Sequence, residues 1–345
     1  MKRFFFITLA AAMTLLYGCR NTDVLLPNSI GSIFEVLVVI DQKDWKSEGG
    51  KALFDILNES APALPQPEAL FKLSKVPHNA FDHLVKPARN IVVVTVDSLL
   101  YTKASMKLAK NKWAKNQMVV FITAPNSSSL ANYVMAKKRT IQQAFINSER
   151  ANQMDYYKAN ANQTAMKKAY EKFGVRITLP TDLNKYKEAD NFLWISNGSI
   201  DANKNIIIYA YPYTDQKQLT EKELLSRRDS VLKVNIPGSV EGSYMGTEYD
   251  VIPPIMKEIW VNDAYCAEIH GLWKMKNGEV MGGPFVSHSR VDELGSRIIT
   301  VEGFVFAPGR DKLNNIRQME AMVYSLRLPQ EINEITVTAK ANTRK

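Results

Sequence analysis

The pattern of apolar and polar positions divides the chain into an apolar leader, two stretches rich in strand signals, and a long helical run between them. Phe4 to Leu16 carries no charge and follows Lys2 and Arg3. That run is too short to cross a bilayer, which takes about 20 apolar residues, and it fits the apolar part of an export signal. Residues 33–40 are largely apolar on both faces, as in a central strand. Residues 46–60 place Ala52, Leu53, Ile56 and Leu57 at helical spacing, and Pro62, Pro65 and Pro67 stop the helix. Strands are predicted at 70–76, 91–96 and 118–123. Residues 103–115 carry Lys103, Lys107, Lys110, Lys112 and Lys115 around Trp113, with no acid among them. Lysines of this kind blunt an edge strand; a membrane-surface patch is the alternative.

Residues 126–173 contain neither glycine nor proline, and Leu130, Val134, Ile141, Phe145 and Ser148 mark one helical face. Unbroken, this helix would be about 70 Å long at about 1.5 Å per residue, so a break is expected at 151–155. Ser127 or Ser128 is the expected N-cap, and Gly174 the left-handed stop of the second helix. Strands follow at 175–179, 192–195 and 206–211. A helix at 220–233 opens on a Thr220–Glu223 capping box. Further strands are predicted at 244–249, 259–269, 285–290 and 297–306, with Asn277-Gly278 as a hairpin, then a helix at 311–326.

Phe121, Ala124, Pro125, Leu130 and Asn132 recur as Phe304, Ala307, Pro308, Leu313 and Asn315 at a constant offset of 183. Residues 33–150 and 205–326 both read β-α-β-β-β-β-α. The expected fold class is therefore α+β: two tandem halves of this order, mostly antiparallel sheets covered by helices, joined by a long helical segment. The expected division is a signal peptide at 1–19, a tether at 20–31, an N-terminal α/β domain at 32–172, a C-terminal α+β domain at 173–330 and a polar tail at 331–345.

Leu16-Tyr17-Gly18-Cys19 follows the leader and is similar to the bacterial lipobox, although Tyr17 is bulky for its place. The resemblance implies cleavage before Cys19 and acylation of its sulfur with chains such as palmitate. Each buried CH₂ adds about 0.8 kcal/mol, and stable anchoring takes two signals. No aspartate directly follows Cys19, which by bacterial sorting rules implies an outer-membrane anchor with the body facing the periplasm. The formal charge of +9 loses two units with Lys2 and Arg3. Exported proteins seldom meet nucleic acid, so no nucleic-acid partner is expected; solubility, or an anionic lipid or glycan surface, accounts for the charge. Cys266, the second of two cysteines, reads as a small buried apolar residue.

Nucleophile-elbow, phosphate-loop, dinucleotide and His-Glu-x-x-His motifs are all missing from the sequence. Glu268 and His270 share a face of a predicted strand, and His288 lies on a neighbouring one. They could hold a metal or act as acid and base, but the spacing is unspecific; no metal and no cofactor are expected. Met281-Gly282-Gly283-Pro284-Phe285 reads as a glycine turn that admits a close backbone or ligand. Trp273 and Phe285 would wall a pocket there, with Arg290 and Asp292 as its polar groups.

The run Gly271-Leu-Trp273-Lys-Met-Lys-Asn277-Gly through Gly282-Gly283-Pro284-Phe285, Arg290, Asp292 and Glu302-Gly303-Phe304, with Asn191-Phe192-Leu193-Trp194, resembles a Bacteroidetes-type lipoprotein family classed as a domain of unknown function (DUF4837). This kinship implies a cell-envelope setting and transfers no catalytic residue. The expected function is a membrane-anchored, non-enzymatic binding or assembly component with an envelope protein partner. The alternative is a periplasmic small-ligand-binding or hydrolytic protein using the Trp273, Gly282-Gly283 and Arg290 region.

Overall fold

The structure, a computed structural model, describes residues 26–333; the leader, Cys19 and the tail after residue 333 lie outside the described residues. The first apolar run becomes β1 (Glu35–Val39), between β2 (Lys72–Val76) and β3 (Asn90–Val96). With β4 (Ser105–Lys110) and β5 (Met118–Ala124) the sheet order is β2-β1-β3-β5-β4. All pair in parallel except β4, which runs antiparallel to β5 at the edge. The antiparallel expectation therefore does not extend to this sheet. Helices α1 (Gln42–Trp45) and α2 (Glu48–Leu57) supply the crossover that parallel strands require. The lysine-rich stretch is indeed an edge strand at β4, and Trp113 behind it packs on Phe81 and Phe121, with ring centroids 5.2 and 6.0 Å away.

The long helical run forms α3 (Ser127–Ala136), α4 (Lys138–Ala159) and α5 (Gln163–Phe173). Breaks fall at Lys137 and at 160–162, not at 151–155. The buried stripe of α4 continues through Ile141, Phe145, Glu149, Gln153 and Tyr157 at four-residue spacing. Two of these are polar, so the apolar signal fades where the helix goes on. Asn126, not Ser127, caps α3 by accepting the Ser129 N–H, whereas Gly174 ends α5 at φ 68°, as expected.

The second half builds one antiparallel sheet from β6 (Lys185–Ala189), β7 (Phe192–Ser196), β8 (Asn203–Pro212), β9 (Tyr244–Glu248), β10 (Ile255–Val261), β11 (Ala264–Lys276), β12 (Gly282–Asp292) and β13 (Arg297–Phe306). Its order is β10-β11-β12-β13-β8-β7-β6, with β9 beside the far end of β11. The single strand expected at 259–269 is a hairpin: Asn262 and Asp263 both take positive φ, the two-residue turn that matches strand twist. Residues 175–179 form no strand; Arg176 makes only an isolated bridge to Arg327. The Thr220 capping box does not form, because the Thr220 hydroxyl donates back to the Lys217 carbonyl; Asp215 and Gln218 make the box one turn earlier. The extra strand and the different pairing mean that the sequence echo is not repeated in topology.

Both faces of the large sheet are covered. Helix α6 (Glu221–Asn235) packs Leu224, Leu225 and Leu232 on the face carrying Ile207, Tyr209, Phe285 and Phe304. Helix α7 (Leu313–Tyr324) covers the other face. One apolar core runs from there through α4 and α5 to Val36, Val38, Val92 and Val120 of the small sheet. The predicted polar tail does not begin at 331: Ile332 is buried and Glu331 pairs with Arg290.

Beneath α6, Arg228 (2% exposed) meets Glu302 (0%) through two hydrogen bonds of 2.7 Å. It also bonds the Thr247 hydroxyl and lies 3.8 Å from the Phe285 ring centroid. Removing one partner leaves a buried charge, so Arg228→Ala should lower unfolding free energy by about 3–5 kcal/mol in urea titration. An exposed pair such as Arg310–Asp201 should give no more than about 1 kcal/mol.

Candidate functional site

Strand alternation decides which of the expected site residues meet. On β12, Gly283 and Phe285 face α6, whereas His288, Arg290 and Asp292 face α7. Trp273 on β11 pairs directly with Gly283, so Trp273, Gly283 and Phe285 do share one face. Arg290 and Asp292 are not part of that wall. Arg290 is buried against Glu331 and the Val261 carbonyl, and Asp292 holds Arg297 at 2.8 Å. Gly282 and Gly283 lie within the strand, not in a turn. Gly283 is required because an added Cβ would collide with the Val305 carbonyl oxygen, the same atom that accepts the Trp273 indole N–H at 3.1 Å.

The Trp273 indole lines a pocket of about 260 Å³. Trp194, Trp273, Phe304, Phe306, Met275 and Met281 wall it. Trp273 meets Phe304 edge-on at 5.7 Å, and Trp194 lies 6.3 Å from the same ring. The Trp194 N–H is bound to Asn205, so both indoles offer only carbon surface. Ser239 and Glu279 also line the pocket, and their chain neighbours Val240 and Val280 are exposed. Trp194, Phe304 and Phe306 were not read as site residues; they converge only through β7–β8–β13 pairing.

On the opposite face the expected Glu268, His270 and His288 do come together. His288 lies across from Glu268 in the β11–β12 ladder, and its Nε2 is 3.0 Å from Oε2 of Glu268. His270 Nε2 is 3.2 Å from the other oxygen, and the Tyr324 hydroxyl donates at 2.7 Å. Arg150 of α4 pairs with Glu320 and stacks on the Tyr324 ring at 3.7 Å. Burial raises the Glu268 pKa, but the bonds to His270 and His288 outweigh it and hold the carboxyl well below its usual range. Burial pushes His288 down against the pull of Glu268. Glu268, His270 and Glu320 each place a ligand atom within 4.8 Å of the others, a donor set that suits Zn²⁺ or Mn²⁺. Every one of those donors already has a partner, and Arg150 supplies the positive charge, so the arrangement is a self-neutralising strut between sheet and helices. Cys266 nearby is buried, and burial raises its thiol pKa, as expected of an unreactive cysteine.

A third feature lies where the two halves meet. A cleft of about 620 Å³ is lined by the C-terminal end of α4, residues 180–182, Asn116, Lys204 and Gln318. Sequence spacing gave no sign of it, since its residues come from seven separate segments, Ile33 and Arg89 among them.

Two family models match the chain. Residues 161–325 match a domain of unknown function (DUF4837), and residues 29–158 match a second domain of unknown function (DUF8532). The matches meet at the C-terminal end of α4. No curated protein matches the chain. Among solved structures, the Saccharomyces cerevisiae Ran-binding protein Mog1p is similar at 10% identity over 45% of this chain and 90% of that chain, with a TM-score of 0.28. A mutant of protein Mog1 gives 11% identity over 45% and 90%, with the same score of 0.28. At that score the likeness carries no argument.

Two outcomes are expected. Gly283→Ala should cost about 1–3 kcal/mol by overpacking, read as a lower melting temperature. The depressed His288 pKa means that the unfolded chain takes up a proton first as pH falls below about 6.5. The melting temperature should therefore drop between about pH 6.5 and 5, and His288→Asn should flatten that drop; an unchanged slope in the variant would refute the assignment.

Proposed function

We propose that this protein is a lipid-anchored component of the bacterial cell envelope, of the Bacteroidetes-type lipoprotein kind. Its role is to bind another envelope protein rather than to catalyse a reaction. The anchor is Cys19, in the outer membrane, with the body facing the periplasm. Support for the anchor comes from Lys2-Arg3, the uncharged run to Leu16 and the Leu16-Tyr17-Gly18-Cys19 sequence. Among the described residues no helix is long and apolar enough to cross a membrane, so a lipid on Cys19 is the route to attachment that this reading requires.

The observation that carries the binding role is the Trp194–Trp273–Phe304 pocket. At about 260 Å³ it falls below the range of about 300–1,000 Å³ usual for small-molecule sites. It suits one large apolar side chain of a partner, and the exposed Val240 and Val280, next in the chain to the lining residues Ser239 and Glu279, suit the water-excluding ring around such an anchor. The indole N–H groups of its walls are already engaged, so both tryptophans present carbon surface to a partner. Of the residues expected at this site Trp273 lines the pocket, whereas Gly282, Gly283, Phe285, Arg290 and Asp292 do not.

Crosslinked co-purification of the full chain from its own membranes tests this. One partner at near-equal amount is expected, with Val280→Asp reducing its recovery about tenfold; Val280 is fully exposed, so the fold should be unaffected. Recovery unchanged by Val280→Asp, or no enriched partner, would refute the pocket's role. Separately, Cys19→Ser should move the protein from the membrane to the soluble fraction, and retention in the membrane would refute the anchor.

A further inference from the structure

The cleft between the halves is a second site, independent of the aromatic pocket, and its walls have a defined chemistry. Arg89 reaches it, but its guanidinium is taken by Glu149 at 2.6 and 3.1 Å. Lys204 reaches it from β8 and is held by Asp182 at 2.7 Å and Gln318 at 3.1 Å. Both positive charges are thus neutralised from within, and a phosphate or other strongly anionic ligand would find no free cation there. What remains is a wall of side-chain amides, from Asn116, Asn152, Gln153, Asn160 and Gln318, with the Thr181 hydroxyl; Asn152 and Asn160 donate to the Asn116 and Tyr156 carbonyls and Gln318 accepts from Lys204, so each of these three offers a ligand its other amide atom.

One of these amides is unsatisfied. Gln153 is 8% exposed, and its Oε1 is buried without a hydrogen-bond partner. Buried polar atoms are nearly always paired, and because Gln153 lines the cleft, a turn of its side chain would bring the orphan oxygen to a ligand donor. Beside it, Tyr156 is 64% exposed and offers an aromatic ring at the cleft wall, with Tyr157 buried behind. The volume of about 620 Å³ lies within the usual range for small ligands.

We infer that this cleft binds an uncharged saccharide. Vicinal hydroxyls are paired donors and acceptors, which is what side-chain amides match, and the flat carbon–hydrogen face of a pyranose packs on an exposed aromatic ring. An extended peptide is disfavoured because the one strand that reaches the cleft, β8, is paired on both edges by β13 and β7. Gln153 Oε1 would accept from a sugar hydroxyl or an acetamido N–H, and Tyr156 would stack on the ring.

The test is calorimetric titration of the purified full chain with two probes, the β-linked tetrasaccharide of N-acetylglucosamine and an unmodified glucose tetrasaccharide. Binding of either is expected, and the preferred probe separates an acetamido-sugar ligand from a plain hydroxyl one. Tyr156→Ala should weaken it about tenfold, as should Gln153→Leu. Trp273→Phe, in the other pocket, and Val280→Asp, beside its lining residues Glu279 and Met281 in the chain, should leave it unchanged, which keeps this site's failure distinct from that of the aromatic one. Each variant's melting temperature is recorded beside the titration, and Tyr156→Ala should match the parent. No heat from either probe up to about 10 mM, or binding indifferent to both Tyr156→Ala and Gln153→Leu, would overturn the inference.

Discussion

The arrangement of the two sheets depends on two adjacent residues of one helix. Glu149 of α4, fully buried, accepts from Arg89, from the Asn90 amide and from the Phe34 backbone N–H, and so ties α4 to the starts of β1 and β3. Arg150, next in sequence, points the other way to Glu320 and the Tyr324 ring of α7, which lies on the large sheet. An α-helix turns about 100° per residue, so neighbours can serve two partners on different sides. Arg317 of α7 completes the joint by stacking on Phe34 at 3.7 Å, and burial pushes its pKa down to about 10. A buried carboxylate is costly unless all its lone pairs are engaged; Glu149 fixes the register of the helix against the small sheet because one position satisfies all three donors.

That joint also positions the cleft. Gln153 and Tyr157 follow Glu149 on the same buried stripe of α4, one and two turns on, just where the two halves diverge. The aromatic pocket belongs instead to the far face of the large sheet, where α6 ends at Asn235 and leaves Trp273 uncovered by helix. The two sites are therefore built by different elements, one by helix α4 at a seam and one by the alternation of strands. The Glu268 network lies between, joined to both His270 and His288 on the sheet and to Tyr324 on α7.

Much of the architecture was legible along the chain, and the misses share a cause. Strands β1, β3 and β5 are largely continuous apolar runs, and β4 declares itself by its lysines. The break in the helical run was misplaced because Glu149 and Gln153 occupy core positions of α4, where a pattern reading expects leucine. The β10–β11 hairpin was hidden because Asn262-Asp263 lacks the glycine that usually announces such a turn. Trp273 and Gly283 were found together, since a large aromatic residue and a glycine pair were visible in one motif. Arg290 and Asp292 were placed with them wrongly, because strand parity, which alone separates the two faces, has to be counted from a known register.

The sequence by itself determined the α+β class, the order of most elements, an inert buried Cys266 and the chemical character of Trp273 and Gly283, because these follow from local pattern and side-chain size. The parallel pairing of the first sheet, the convergence of Trp194, Phe304 and Phe306 on Trp273, and the cleft beside Gln153 were decided only by tertiary structure. Each joins residues far apart in the chain, whose meeting depends on pairing register and on which buried polar groups find partners, and neither quantity has a local trace in the order of amino acids.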